Sequence, residues 1–146
     1  MLLRCHIYKW YILGKTFVVA FMIKQVLIIG LGGFIGSIAR YFLSKLNLQF
    51  DFQSVPIGTL SVNVLGSFII GFLTGISEKS EILSTEWRLF LMVGLCGGFT
   101  TFSSFTSENL MLMHNGLFFS IFLYTGMSIL FGFLAVYLGY VTTNLL

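Results

Sequence analysis

VPIGTLSVNVLGSFIIGFLTGI, residues 55–76, carries no charged side chain. A membrane-spanning helix needs about 20 predominantly apolar residues in a row, and this stretch reaches that length. Pro56 stands at its start, where proline is tolerated because the first helical N–H groups have no partner in the helix. The rest of the chain agrees with a membrane reading. Of its 146 residues 57% are hydrophobic and only 9% charged, against about 25% charged in a typical soluble domain. Mean hydropathy is +0.97. Eight basic and five acidic side chains cannot clothe a globule of this size in water, which argues against a soluble enzyme.

Working outward, three further apolar runs appear. The first goes from Gln25 to Ala39 and continues past Arg40 to Leu43, with Arg40 near its end able to snorkel. The third runs from Leu89 to Ser107 and ends at Glu108; the fourth runs from Leu117 to Val141 after a turn at His114-Asn115-Gly116. Residues 47–54, with Asp51, read as a short polar connection. Residues 77–86 hold Glu78, Lys79, Glu81 and Glu86 and read as a loop. The expectation is an all-α, multi-pass membrane protein with four transmembrane helices, neighbours antiparallel because the loops are short. Residues 22–146 form one four-helix membrane domain. Residues 1–21, interrupted by Lys9 and Lys15, are too broken to span and lack a small-residue cleavage site. Met22 is then the expected initiator, or else residues 1–21 form an interfacial extension.

Basic residues are scattered, which fits membrane flanks rather than a nucleic-acid partner. Cys5 and Cys96 belong to no metal spacing, and His6 and His114 have no ligand partners nearby in sequence. No nucleophile–base pair stands out, so no enzymatic activity is expected. Three small-x-x-x-small pairs, Gly32/Gly36, Gly71/Gly75 and Gly94/Gly98, lie in spans one, two and three. Lipid tails give helices no hydrophobic reason to associate, so close backbone approach through glycine does that work. Together the pairs point to a tightly packed, oligomeric bundle.

The chemistry concentrates in span three, at Cys96-Gly97-Gly98-Phe99-Thr100-Thr101-Phe102-Ser103-Ser104-Phe105. Adjacent glycines and β-branched threonines make poor helix; each glycine costs about 1 kcal/mol against alanine. One reading is a packing kink. The favoured one is a break whose freed carbonyls coordinate a cation, since a break in hydrocarbon persists only where those carbonyls are satisfied.

These residues resemble the fluoride ion channel family known as Fluc or CrcB. The likeness covers about residues 22–141. It rests on Gly32-Gly33-Phe34-Ile35-Gly36-Ser37-Ile38-Ala39-Arg40, on Pro56 to Phe68, on the Gly97 to Phe105 signature and on Glu108. The resemblance implies an antiparallel, dual-topology homodimer in the cell membrane, with fluoride pores and a central structural sodium ion (Na+). Main-chain carbonyls of Gly97 and Thr100 from both subunits would hold the sodium, and Gly97 is expected in an unwound or positive-φ backbone. Asn63 would line the fluoride pore through its amide, although a lone mid-span Asn is ordinarily a helix–helix hydrogen bond. Phe102 and Phe105 would offer ring edges, which carry partial positive charge. Ser103 and Ser104 would add hydroxyls; the family usually has Ser-Thr there, so Ser104 keeps the hydroxyl and loses a methyl. Tyr124 and Ser128, four apart in span four, match the family's polar positions. Arg40 would attract anions at a vestibule or anchor its helix, and Glu108 would be an interfacial carboxylate there.

The competing readings are a small four-span multidrug or cation exporter and a structural membrane subunit. An exporter needs a membrane-embedded carboxylate, and span one holds Arg40 and no acid.

Overall fold

The computed structural model describes residues 2–45, 54–79 and 83–145, with side chains from residue 18 onward. The polar connection around Asp51, the loop residue Glu81 and the side chains of Cys5 and His6 lie outside the described residues. Helix α1 runs Leu2–Ser44, α2 Ile57–Lys79 and α3 Thr85–Arg88. A π-helical stretch, Leu89–Cys96, follows α3 and leads into α4, Gly97–Phe99. After a gap in the helix come α5, Phe102–His114, and α6, Phe118–Thr142. Among the described residues, four helical segments are long and apolar enough to cross a membrane: Val18–Ser44, Ile57–Lys79, Thr85–His114 and Phe118–Leu145.

The chain is thus the expected four-span all-α protein, with two adjustments. The loop between spans two and three is shorter than its charges suggested. Glu78 and Lys79 close α2, and Glu86 sits in the first turn of α3. Lys79 and Glu86 carry the favourable signs, since a cation suits the C-terminal end of a helix dipole and an anion the N-terminal end, while Glu78 accepts from Tyr140 O–H at 2.8 Å. Ser84 also caps α3, its side chain accepting from the Trp87 N–H at 3.4 Å. The second adjustment is that residues 2–21 continue α1 without interruption.

The turn before span four is a Schellman motif. Leu117 N–H donates to Leu112 O at 2.9 Å and Gly116 N–H to Met113 O at 3.1 Å. Gly116 sits at φ +72°, the left-handed conformation that glycine adopts without strain.

Packing follows the glycines. Span one meets span three backbone to backbone: a Cβ on Gly32 would strike Phe90 O, and one on Gly36 would strike Leu95 O. On the facing side, a Cβ on Gly94 would come within 2.7 Å of Ile29 O. Span two meets span four the same way, with Gly71 under Val136 O and Gly139 under Phe68 O. The π-helical turns of Leu89–Cys96 lie along this first contact. Sequence reading expected one interruption in span three and missed these turns, because an uninterrupted apolar run has no mark that separates π from α geometry.

The buried apolar core is small; one cluster in it joins Val55, Leu60, Leu112 and Tyr124, with Ile57, Phe105 and Met127 packed around it. Most large apolar side chains face outward, which in water would be untenable and in lipid is ordinary.

Gly36→Val is expected to abolish assembly of the bundle, since the added carbons overlap a backbone oxygen that cannot retreat. Gly30→Ala meets nothing within 4 Å and should leave it intact. Size-exclusion profiles of the two variants in detergent, a monodisperse peak lost for the first and kept for the second, check this.

Candidate functional site

The helix of span three stops at two residues. Thr100 (φ −76°, ψ 156°) and Thr101 (φ −150°, ψ 120°) are extended, between α4 and α5. The break therefore falls at the threonines. Gly97, expected to be unwound or at positive φ, is helical (φ −63°, ψ −37°) and open, with nothing within 4 Å of an added Cβ. The reason is steric: two β-branched residues in succession favour extended backbone, whereas glycine tolerates helix as well as anything else.

A break in mid-span leaves backbone donors and acceptors without helical partners, and each one buried and unpaired costs about 1–3 kcal/mol. Side chains supply the replacements. Asn63, on α2, faces Thr101 and pairs with it twice: Nδ2 donates to Thr101 O at 3.1 Å, and Oδ1 accepts from Thr101 N–H at 2.8 Å. Thr101 then caps α5, its Oγ1 accepting from Ser104 N–H at 3.2 Å. Thr100 stays tied to the previous turn, its N–H and its hydroxyl both donating to Cys96 O. Arg40 reaches in from α1, Nε donating to Gly98 O at 3.1 Å, with Ser37 Oγ 3.5 Å from the same oxygen. Among the described residues, Gly97 O and Phe99 O receive no such donor.

Beside the break lies a groove of about 450 Å³. Of the residues expected at a site, Asn63, Gly97, Thr100, Phe102, Phe105 and Ser128 line it together, and no charged residue does. The Phe102 and Phe105 ring centroids are 5.8 Å apart. Phe102 is 77% exposed, so the groove is open on that side. The Ser128 hydroxyl is buried with no hydrogen-bond partner among the described residues.

Other expected site residues lie elsewhere. Ser103 and Ser104 turn to the Thr101 hydroxyl, at 3.2 and 3.1 Å. Tyr124 is fully buried (0% exposed), away from Ser128's groove. Its ring lies 5.0 Å from that of Phe105, and its O–H donates to Glu108 Oε2 at 2.7 Å. Thr59 donates to the other oxygen, Oε1, at 2.6 Å. Glu108, expected as an interfacial carboxylate, is half-buried, its two oxygens accepting from the hydroxyls of Thr59 and Tyr124. Arg40, expected to attract anions at a vestibule or to anchor its helix, donates its Nε–H to the break. Sequence reasoning missed Thr59 and Thr101. Thr59 could have been found, since it precedes Asn63 by four residues on one helical face. Thr101's role as a cap is local chemistry, a threonine just before a new helix.

The fold and this site define a multi-pass membrane protein whose third span is broken in its interior and stitched by side chains from spans one and two. The chain belongs to the CrcB family: the model of the CrcB-like protein, Camphor Resistance (CrcB), matches residues 27–140. A fluoride-specific ion channel FluC of Azobacteroides pseudotrichonymphae is 42% identical over 123 residues, covering 84% of this chain and 98% of the relative. Relatives of the same description from Chlorobium luteolum (47% identical, 82% of this chain, 92% of the relative) and Methanococcus maripaludis (50%, 80%, 93%) are similar over nearly the same length.

Asn63→Leu is expected to be strongly destabilising, because it leaves both the N–H and the C=O of Thr101 unpaired. Tyr124→Phe removes one of two donors to Glu108 and should cost less. Thermal unfolding in detergent ranks them: a larger drop in Tm for Tyr124→Phe than for Asn63→Leu would contradict the assignment.

Proposed function

We propose that the protein is a fluoride-selective channel that lets cytoplasmic fluoride leave the cell passively and so lowers its toxicity. It is not an enzyme. The observation that carries this reading is the uncharged groove at the break, where Asn63, Phe102, Phe105 and Ser128 meet. A carboxylate there would repel a small anion, and a cation would hold it too tightly to release. Amide, hydroxyl and ring-edge donors can replace its water at intermediate strength. The relatives' shared description as fluoride-specific channels supports the same ion. The exporter reading lacks a groove carboxylate to exchange protons.

In this reading two copies pack antiparallel in the plasma membrane as a dual-topology homodimer, the second copy closing the side on which Phe102 is exposed. A structural sodium ion fits the donor set. Main-chain carbonyls are hard oxygen ligands, Gly97 and Thr100 line the same groove, and the Gly97 oxygen has no competing donor among the described residues. Gly97 and Thr100 would hold the ion, neutralising carbonyls that the break leaves exposed. Because main-chain atoms bind it, Thr100→Ser should be mild.

Fluoride efflux from liposomes containing the purified four-span domain, residues 22–146, tests the proposal. The wild type and Thr100→Ser are expected to release trapped fluoride and retain chloride. Asn63→Asp should stop release, since it sets a negative charge in the groove and removes the donor to Thr101 O. Wild-type flux from Asn63→Asp would remove Asn63 from the pathway, and no flux from the wild type would overturn the channel reading.

A further inference from the structure

Contacts at one end of the bundle settle which charges share it. Lys24 Nζ lies 2.6 Å from Glu86 Oε1, joining the start of span one to the start of span three. Arg88 Nη2 donates to Ser77 O at 3.0 Å, and Lys79 Nζ donates to Thr143 O at 2.5 Å. Tyr140 O–H donates to Glu78 Oε2 at 2.8 Å. The connection between spans two and three and the C-terminal end of span four therefore sit with Lys24. Lys24, Lys79 and Arg88 mark this end, and Arg40 and Lys45 lie toward the other. Of these two, Lys45 sits 4.6 Å over the Tyr41 ring, while Arg40 is turned inward to Gly98 O. Three basic residues against two give an inserting chain little to choose by, since orientation follows an excess of Lys and Arg near the span ends.

Residues 1–21 change that balance. They lie ahead of residue 27, where the family match begins. Helix α1 is continuous over its 43 residues, about 65 Å at 1.5 Å per residue, roughly twice a hydrocarbon core of about 30 Å. The segment therefore leaves the bundle at the Lys24 end, along the helix axis. It brings Arg4, Lys9 and Lys15 to that end, making six basic residues against two.

We propose that residues 1–21 are a topological determinant that holds both termini in the cytoplasm. A chain carrying them inserts in one orientation, whereas the four-span domain by itself inserts in both. The consequence rests on the antiparallel pairing proposed above: the long chain finds its inverted partner only among copies without these charges, such as chains begun at Met22.

The test uses the full chain with a reporter fused after Leu146. Green fluorescent protein there fluoresces only in the cytoplasm, and alkaline phosphatase is active only outside. The unaltered chain is expected to give fluorescence with phosphatase activity at least tenfold below that of the Arg4→Gln/Lys9→Gln/Lys15→Gln variant, which should give both signals. Arg4→Lys should behave as the unaltered chain. Both signals from the unaltered chain, or one signal from the triple variant, overturns the proposal. Fluoride efflux from liposomes of the triple variant separates the two readings. Efflux with one-sided insertion overturns only the topological role; two-sided insertion without efflux overturns only the channel.

Discussion

Everything at the centre of this protein depends on the pairing of one carboxamide with one peptide unit. A transmembrane helix satisfies its backbone internally, and interrupting it in hydrocarbon strands polar groups where no water can reach them. The Asn63 side chain offers one acceptor and one donor at the spacing of a peptide, and it takes the N–H and C=O of Thr101 in the same gesture. Span two thereby becomes part of the backbone of span three. The groove exists because this substitution lets the chain be extended at Thr100 and Thr101 without unpaired groups at Thr101.

That pairing is reinforced from the opposite side. Arg40 anchors the Gly98 carbonyl, so the end of α4 is held from span one while the start of α5 is held from span two. The Thr59–Glu108–Tyr124 network then ties spans two and four to the far side of α5. Each of these ionisable side chains is costly within a membrane, and each is used against a neighbouring span. Polar contacts between spans supply the specificity that hydrophobic burial cannot supply in lipid. The apolar side chains are consistent with this, most of them being turned outward from a small core.

Glycine sets the distances at which such contacts become possible. With Gly32 and Gly36 against the carbonyls of Phe90 and Leu95, and Gly71 and Gly139 against those of Val136 and Phe68, helices approach to backbone contact. Arg40 reaches Gly98 across the contact that Gly32 and Gly36 close, and Asn63 reaches Thr101 beside Gly66, where a Cβ would strike the Thr100 side chain. Dispersion between close backbones and interhelical hydrogen bonds are the forces available once lipid removes the hydrophobic drive, and the same glycines enable both.

The sequence by itself determined the four spans, their short connections, the class of protein and the place where span three would fail. Uncharged runs of membrane length and a Gly-Gly…Thr-Thr cluster are local signals, each legible in a window of about 20 residues. The resemblance to the fluoride-channel family also singled out Asn63, Phe102, Phe105 and Ser128, which the tertiary structure brings to one groove. Only the tertiary structure decided that Gly97 stays helical while the threonines extend, and that Asn63 is committed to Thr101. It alone turned Glu108 inward and separated Tyr124 from Ser128. Those outcomes turn on which donor on another span lies within about 3 Å of which acceptor. Residues far apart in the chain decide that, as 38 positions separate Asn63 from Thr101 and 58 separate Arg40 from Gly98, and no local pattern encodes such a meeting.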